Sequence, residues 1–179
     1  KKRAQKSKIL SKLNLTKGNY AVLTLHRPSN VDAKAPLEHI MSFLKQIQKK
    51  VKIVFPMHPR TLKNIENFGL SNEIRQQRNL LITKPLGYLD FLCLMSNSKF
   101  VMTDSGGMQE ETTVLGVPCI TIRNNTERPV TAEQGTNLLV STNKDKILKK
   151  ASEIIGKNKN TKNKNIKNKI PKFWDGKAA

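Results

Sequence analysis

The sequence predicts an α/β fold with a doubly wound parallel sheet, and two observations lead to this prediction. Short apolar runs rich in β-branched residues alternate along the chain with segments whose apolar residues recur at helical spacing. Several of the apolar runs end abruptly in polar loops, which is typical of buried parallel strands. At 179 residues, the chain is long enough for one domain with a full hydrophobic core.

In the first half of the chain, predicted strands and helices follow one another in turn. Pro36 suits the first turn of its helix, and Gly69 breaks the helix that precedes it. The predicted elements are a short helix over 2–13, strand 20–25, helix 36–50, strand 51–55, helix 61–67, strand 80–83 and an apolar helix over 88–95.

The second half continues this alternation. Gly116 is a helix C-terminal signal, so the helix before it ends there. The predicted elements are strand 99–103, helix 108–115, strand 118–122, strand 136–141 and helix 145–155. A Lys/Asn-rich segment follows, and we therefore expect a domain over residues 1–156 and a linker with the start of a terminal helix over 157–179.

Four polar loops follow predicted strands. Because sites in a doubly wound sheet collect at the carboxyl ends of the strands, we expect these loops to converge on one crevice. The loops are His26-Arg27, His58-Pro-Arg60, Asp104-Ser-Gly-Gly107 and Thr126-Glu-Arg128.

The loop Ser105-Gly106-Gly107 joins a predicted buried strand to a helix, which predicts an anion site. Backbone N–H groups at a helix start have no partner within the helix, and the dipole favours a phosphate there by about 0.3–1 kcal/mol. The glycines permit close approach and unusual φ and ψ, and Ser105 adds a hydroxyl donor. Glu110 and Glu111, one turn later, suit the hydroxyls of a ribose. Taken alone, so short a motif is also compatible with an ordinary turn.

Other loop residues fit a phosphate ligand but have structural alternatives. Arg27 is always charged, and His26 can donate a proton or a hydrogen bond near neutral pH. Arg128 would bind a diphosphate, or it belongs to an ordinary charged turn. Tyr88 and Phe91 favour a place in the core, although a base could rest against the start of their helix.

Composition argues against several other classes of function. The three histidines lack metal-ligand spacing, so no metal site is expected, and Cys93 and Cys119 are expected to be buried, reduced thiols without redox chemistry. No membrane span or signal peptide is visible, which predicts a soluble, cytoplasmic protein.

The net charge of +20 raises the possibility of nucleic-acid binding. About half of the basic residues lie in the first dozen residues and in 144–172. The Lys/Asn run 157–169 lacks the interleaved aromatic residues that stack on bases, so a solvated surface is favoured over a nucleic-acid interface.

Taken together, the loops resemble the carboxyl-terminal half of the non-hydrolysing UDP-N-acetylglucosamine 2-epimerases, in the right order along nearly the whole chain. The matching motifs are His26-Arg-Pro-Ser-Asn-Val-Asp32, His58-Pro-Arg-Thr61, Pro85-Leu-Gly-Tyr-Leu-Asp-Phe91, Thr103-Asp-Ser-Gly-Gly-Met-Gln-Glu-Glu111, Asn125-Thr-Glu-Arg-Pro129 and Phe173-Trp-Asp-Gly-Lys-Ala-Ala179. The resemblance implies the second of two Rossmann-like domains of the GT-B type, with a nucleotide sugar in the cleft between them.

The same resemblance implies a role for each site residue. Ser105, Gly106 and Gly107 would hold the diphosphate of UDP, and Glu111 would bind the ribose. His26, as the catalytic residue, and Arg128 would lie close to the phosphates. Phe91 and Leu86 would meet the uracil through their backbone.

The implied reaction inverts C2 of UDP-GlcNAc to give UDP-ManNAc, a precursor for polysaccharide biosynthesis, through elimination and re-addition of UDP. It requires no cofactor. In the family, the acid/base carboxylates belong to an amino-terminal Rossmann-like domain that is missing here, so we expect this chain to bind UDP weakly at best and not to epimerise. Homodimers are common in the family.

Two departures from the family pattern and two other functions are also considered. Ser29 stands where many relatives have a Glu, and His58-Pro-Arg60 replaces a His-x-Asn-Pro loop, so allosteric control by a second UDP-GlcNAc is not carried over. The alternatives are the second domain of a GT-B glycosyltransferase and a basic nucleic-acid-binding module.

Overall fold

The computed structural model describes residues 3–156 together with Pro171 and Trp174. The predictions made for the Lys/Asn run 157–169 and for the closing motif 173–179, apart from Trp174, lie outside the described residues. The boundary expected between a domain over 1–156 and a linker over 157–179 therefore stays a prediction.

The described residues contain one parallel sheet of six strands, in the order β3-β2-β1-β4-β5-β6. The chain builds outward from β1 to β3 on one side and then from β4 to β6 on the other, so the winding direction reverses between β1 and β4. The strands are β1 (Tyr20–Thr24), β2 (Lys52–Pro56), β3 (Leu80–Thr83), β4 (Phe100–Thr103), β5 (Cys119–Thr121) and β6 (Asn137–Leu139). The predicted doubly wound sheet is confirmed.

Helices connect the strands, and every predicted helix has a counterpart within a few residues. The helices of the described residues are α1 (Ile9–Lys12), α2 (Pro28–Val31), α3 (Lys34–Ile47), α4 (Pro59–Asn67), α5 (Ser71–Arg75), α6 (Tyr88–Ser96), α7 (Gly106–Leu115), α8 (Pro129–Glu133) and α9 (Lys144–Gly156), with a 3₁₀ turn at Ala4–Lys6. Three short helices, α2, α5 and α8, are absent from the sequence prediction because four or five residues are too few for apolar periodicity to show.

The helix predicted over residues 2–13 is interrupted at Ser7. This residue has extended backbone angles of φ −65° and ψ 137°, and its hydroxyl accepts the N–H of Ile9 while it donates to Asp90 Oδ1 at 2.6 Å. The side-chain bonds of Ser7 compete with helical ones, which splits the segment into the 3₁₀ turn and α1.

Both faces of the sheet are covered, as the alternation of buried side chains along β1 shows. Ala21 and Leu23 pack into a core with apolar residues of α3, α4 and α9. Tyr20 and Val22 point the other way, into a core with α1, α6 and α7. Alternation of this kind follows from the two-residue period of a strand.

Both cysteines are free and buried, as predicted. Cys119 lies on β5, and burial raises the pKa of its thiol to about 11. None of the helices in the described part of the chain combines the length and the hydropathy needed to cross a bilayer.

The reversal between β1 and β4 opens a crevice at the carboxyl edge of the sheet. In open α/β sheets, ligands bind in the crevice outside the carboxyl ends of the strands, at this kind of switch point. Helix α7 begins at Gly106, two residues beyond the turn from β4 at Asp104, and ends at Leu115. Gly116 caps it with a φ of +70°, a left-handed conformation typical of the helix C-terminal signal that the sequence shows there.

Candidate functional site

The loops that follow β1 and β4 meet at the switch point through Asp104. The side chain of Asp104 is fully buried, and its carboxylate accepts the backbone N–H of His26 and of Arg27, the latter at 3.0 Å. The Nδ2 group of the buried Asn30 donates to the same carboxylate at 3.0 Å. Asp104 therefore ties the His26-Arg27 loop to the end of β4.

His26 is oriented by the same carboxylate. Its Nδ1 lies 3.0 Å from Asp104 Oδ1, while about half of the side chain is exposed. Because an ionised carboxylate only accepts hydrogen bonds, the neutral ring carries its proton on Nδ1. This arrangement leaves Nε2 as the nitrogen that is free to interact with a ligand in the crevice.

At the start of α7, Ser105 occupies the N-cap position without capping the helix. Its φ of −87° and ψ of 134° are typical of an N-cap, but its side chain makes no capping hydrogen bond. The backbone N–H of Ser105 donates to Thr103 Oγ1 at 3.0 Å, and the Ser105 hydroxyl takes no part in this bond. The first N–H groups of α7 and the Ser105 hydroxyl are thus available at the edge of the crevice.

Neither backbone conformation nor packing requires glycine at Gly106 and Gly107, so the freedom in φ and ψ that glycine permits is not used there. Neither residue has a positive φ, since the positive-φ glycines of the described residues are Gly18, Gly69 and Gly116. A Cβ on Gly106 would make only ordinary contacts at 3.9 and 4.0 Å, and one on Gly107 would meet no atom within 4 Å. What remains of the sequence argument is close approach of a ligand to the backbone.

A third loop, 123–128, is fixed against α7 by Gln109, whose side chain is fully buried. Its Oε1 accepts Thr126 Oγ1 at 2.6 Å and Asn137 Nδ2 at 3.0 Å, and its Nε2 donates to the Ser105 carbonyl at 3.3 Å. Thr126 Oγ1 in turn accepts the backbone N–H of Arg128 at 2.9 Å. The loop that carries Arg128 is therefore held next to the start of α7.

Glu127 joins two arginines from different loops. Its Oε1 lies 2.9 Å from Arg123 Nη2 and 3.5 Å from Arg27 Nη2. The hydrogen bond and the positive charge of Arg123, followed by the charge of Arg27, lower the pKa of the Glu127 carboxyl. Arg128 is half exposed, and its Nε pairs with Glu110 at 2.9 Å.

Glu111 is a half-buried carboxylate with one unsatisfied oxygen. Its Oε2 is shielded from solvent and has no hydrogen-bond partner among the described residues. Burial raises the pKa of this carboxyl. Buried carboxylate oxygens are normally hydrogen-bonded. The unpaired oxygen of Glu111, one turn into α7, is therefore an acceptor suited to a ligand hydroxyl.

The residues expected to meet the uracil lie around the start of α6. Leu86 and Phe91 are both half-buried against the core on that face of the sheet. The N–H of Phe91 already donates to the Gly87 carbonyl at 2.9 Å in the first turn of the helix. The backbone N–H of Phe91 is therefore already used within the helix and is not free for the uracil. Leu86 lies before the helix.

The fourth predicted loop does not join the other three. His58 Nδ1 accepts the N–H of Arg60 at 3.2 Å, which caps α4. The Arg60 guanidinium pairs with Asp32, which follows α2. No hydrogen bond or ion pair within residues 3–156 connects His58 or Arg60 with the loop 104–107.

A cavity of about 670 Å³ adjoins the site on the α3 side. Arg27, Asn30 and Arg123 line it, together with His39, whose Nε2 lies 2.6 Å from the Thr142 carbonyl oxygen. Among the described residues, no group of three or more His, Cys, Asp and Glu side chains is placed to hold a metal ion.

Sequence reasoning assigned no role to Asp104, Gln109 or Arg123. Asp104 comes directly after β4 and Arg123 two residues after β5, which is a usable signal because such residues lie at the carboxyl edge of the sheet. Gln109 carries no comparable signal, since its burial depends on how the loop 123–128 and β6 pack on α7.

Comparison with known proteins places the chain among sugar-nucleotide epimerases. A family model described as UDP-N-acetylglucosamine 2-epimerase matches residues 1–179. UDP-N-acetylglucosamine 2-epimerase of Methanocaldococcus jannaschii is 44% identical over 146 residues, which cover 80% of this chain and 40% of that protein. UDP-2,3-diacetamido-2,3-dideoxy-D-glucuronate 2-epimerase of Pseudomonas aeruginosa is 38% identical over 139 residues, covering 77% of this chain and 38% of the relative.

Solved structures show the same similarity in three dimensions. The crystal structure of the M. jannaschii UDP-GlcNAc 2-epimerase in complex with UDP-GlcNAc and UDP superposes with a TM-score of 0.80 at 41% identity. The match covers 88% of this chain and 44% of that one. The chain thus spans about two fifths of the length of the curated relatives it matches, in their carboxyl-terminal half.

Proposed function

The chain belongs to the UDP-N-acetylglucosamine 2-epimerase family, and from this premise we propose that it supplies the UDP-binding half of an enzyme that inverts C2 of UDP-GlcNAc. The proposed ligand is UDP or the UDP part of the nucleotide sugar. The acid and base that move the C2 proton would come from an amino-terminal Rossmann-like domain. The domain proposed here spans residues 1–156.

The start of α7 is the observation that carries this proposal. Gly106 and Gly107 are glycines that neither backbone conformation nor packing requires, although glycine in a helix costs about 0.5–1 kcal/mol relative to alanine. They lie at the switch point of the sheet, beside a serine whose hydroxyl does not cap the helix. A ligand that approaches the backbone N–H groups accounts for both residue types, and a phosphate suits them best.

We assign the remaining residues to the other parts of a nucleoside diphosphate. Ser105, Gly106 and Gly107 would bind the diphosphate, and Arg128, now paired with Glu110, would turn toward it. Glu111 would accept the ribose hydroxyls with its unsatisfied oxygen. Leu86 and Phe91 would contact the uracil at the start of α6.

In the proposed reaction, the bond between C1 of the sugar and the β-phosphate oxygen breaks, and a proton leaves C2. The product pair is a 2-acetamidoglucal and UDP, which then recombine with the proton added to the opposite face of C2. Negative charge develops on the departing phosphate oxygen, where donors fixed in advance stabilise it most effectively. His26 would act there through Nε2, because Asp104 holds the ring by Nδ1.

We propose that this chain alone does not epimerise, because the acid and base for C2 would come from the amino-terminal domain. The identity of the sugar is also part of the proposal. The P. aeruginosa relative is named for a different, diacetamido-glucuronate substrate, so recognition of the sugar need not follow from recognition of UDP.

Ligand-observed NMR on the 179-residue chain tests the proposal. UDP should bind, and 2′,3′-dideoxy-UDP should bind several-fold more weakly, because Glu111 loses the two hydroxyls that it would accept. In E111Q the two ligands should differ less, while E110Q serves as the matched control in which they still differ. Absence of UDP binding at millimolar concentration would refute the proposal.

Activity separates the proposed function from a glycosyltransferase. Incubation of the chain with UDP-GlcNAc should give no UDP-ManNAc, whereas addition of an amino-terminal epimerase domain should restore its formation. Transfer of the sugar to an added acceptor would instead favour the glycosyltransferase alternative.

One observation, a basic surface, favours the nucleic-acid alternative. Five lysines line a cavity of about 670 Å³ between α3 and α9; they are Lys45, Lys49, Lys50, Lys144 and Lys149. None of the described residues that line it belongs to the loops 26–27, 104–107 or 123–128. Salt-sensitive binding of RNA or DNA that UDP does not disturb would support this alternative.

A further inference from the structure

Arg123 is a buried guanidinium with one terminal nitrogen, Nη1, that has no partner in the part of the chain that the structure describes. The side chain is 7% exposed, and its Nη2 donates to Glu127 Oε1 at 2.9 Å and to Asn125 Oδ1 at 3.5 Å. Its Nη1 is shielded from solvent and has no hydrogen-bond partner among the described residues. A buried donor that lacks a hydrogen-bond partner destabilises the protein, so the unpaired Nη1 calls for an explanation.

The unpaired nitrogen stands beside the start of α7. A Cβ built on Gly106 would lie 4.0 Å from Arg123 Nη1 and 3.9 Å from Glu127 Oε2. A ligand oxygen that approaches the first N–H groups of α7 on this side would therefore come within reach of Nη1. Two independent sets of unsatisfied donors, one from the backbone and one from a side chain, converge on the same place.

We infer that Arg123 is a further diphosphate-binding residue, which donates from Nη1 to a phosphate oxygen bound at the start of α7. The inference rests on the proposed function in that it names the ligand as the diphosphate of UDP. Asn125 and Glu127 hold Nη2 and so orient the guanidinium, which leaves Nη1 as the nitrogen without a partner among the described residues. The guanidinium is planar and its donors are fixed in direction, which suits a phosphate.

Glu127 has the opposite role in this arrangement. Its carboxylate places a negative charge between Arg27 and Arg123 and close to Gly106, where the diphosphate would also lie. Like charges repel, so Glu127 weakens binding of an anion while it orients Arg123. A purely structural role for Arg123 predicts something different, namely that loss of either partner of the ion pair disturbs the loop equally.

Three variants of the full 179-residue chain distinguish these roles, with inorganic pyrophosphate and UDP as probes titrated by NMR. R123M removes the donor, R123K keeps the charge without the guanidinium, and E127Q keeps Arg123 but removes the competing charge. We expect R123M to bind both probes about 10- to 100-fold more weakly, R123K to be intermediate, and E127Q to bind at least as tightly as the unmodified chain. If R123M does not fold, the affinities of R123K and E127Q are compared with each other: R123K should bind both probes more weakly than E127Q.

The outcomes separate the two proposals. Equal weakening by R123M and E127Q, or unchanged pyrophosphate binding in R123M, would overturn the role of Arg123 while UDP binding by the unmodified chain stands. If the unmodified chain binds pyrophosphate but not UDP, the proposed function fails, and the variants still decide the role of Arg123. If it binds neither probe, both proposals are wrong.

Discussion

His26 Nδ1 lies 3.0 Å from Oδ1 of Asp104, whose side chain is fully buried between the loops after β1 and β4. The backbone N–H groups of His26 and Arg27 and the side chain of Asn30 donate to the same carboxylate. Hydrogen bonds from N–H groups to a carboxylate are about twice as strong as those between neutral groups. One aspartate thus fixes both the position of the first loop and the direction of the imidazole.

The first prediction concerns replacement of the Asp104 carboxylate. In D104N, the donors lose a charged acceptor and face an NH₂ group, so we expect the free energy of unfolding to fall by about 1.5–3 kcal/mol. Chemical denaturation measures the loss, and ¹⁵N shifts of the His26 ring should show that the proton no longer stays on Nδ1. D32N is the control, because Asp32 pairs with Arg60 in a more exposed place and should cost less than about 1 kcal/mol. Equal losses in the two variants would contradict the prediction.

The glycines at the start of α7 should separate stability from binding. In G106A and G107A, we expect the free energy of unfolding to be unchanged or raised by up to about 1 kcal/mol, because the added methyl group has space and restricts the unfolded chain. UDP should bind at least about 10-fold more weakly, since the methyl group keeps the phosphate from the backbone and a lost charge-assisted hydrogen bond is worth about this much. Thermal unfolding and UDP titration measure the two effects.

G116A is the matched control for these glycines. Its φ of +70° is unfavourable for alanine, so the variant should lose about 1 kcal/mol of stability while UDP affinity stays the same. A loss of stability in G106A or G107A with undiminished UDP binding would show that these glycines serve the fold instead of a ligand.

Sequence patterns predicted the parts of the fold that depend on local physics. The strand that ends at Thr103 follows from its apolar run, and the end of α7 follows from the helix C-terminal signal at Gly116. Helix α2 was missed, because Pro28 fits the first turn of a helix but only three residues follow it. Local patterns of this kind therefore locate long elements better than single helical turns.

The less predictable part of the site consists of polar residues inside the protein. Gln109 lies on α7 and hydropathy assigns it to the surface, but Thr126 and Asn137 from two other segments bury it. Arg123 follows an apolar strand, and its burial depends on the loop folding back so that Glu127 pairs with it. Such contacts join residues that tertiary structure alone brings together, so they are invisible to patterns along the chain.

The raised pKa of Glu111 predicts how its effect on stability depends on pH. A glutamate in an unfolded chain has a pKa of about 4.3, and burial raises the value for Glu111 in the folded protein. The folded state therefore favours the protonated form, and the stabilisation that this group gives below pH 4.3 is lost as the pH rises through the raised pKa. We expect E111Q to be more stable than the unmodified chain at pH 7 and this advantage to shrink as the pH falls toward 4.

Urea unfolding of both proteins between pH 4 and pH 8 measures the difference. E110Q is the control, since Glu110 pairs with Arg128 and its replacement should not give a stability advantage at neutral pH. A difference between E111Q and the unmodified chain that does not change with pH would contradict the burial argument.

Gln109 should be essential for the loop that carries Arg128. In Q109L the hydroxyl of Thr126 loses its acceptor, which should cost about 1–3 kcal/mol of stability. The same hydroxyl accepts the N–H of Arg128, so amide exchange at Arg128 should become faster and UDP binding weaker. Q77L is the matched control: Gln77 is also buried, but its Oε1 has no partner among the described residues, so its replacement should be close to neutral. Faster exchange at Arg128 in Q109L alone would show that a specific hydrogen bond, and not burial of an amide, holds the loop in place.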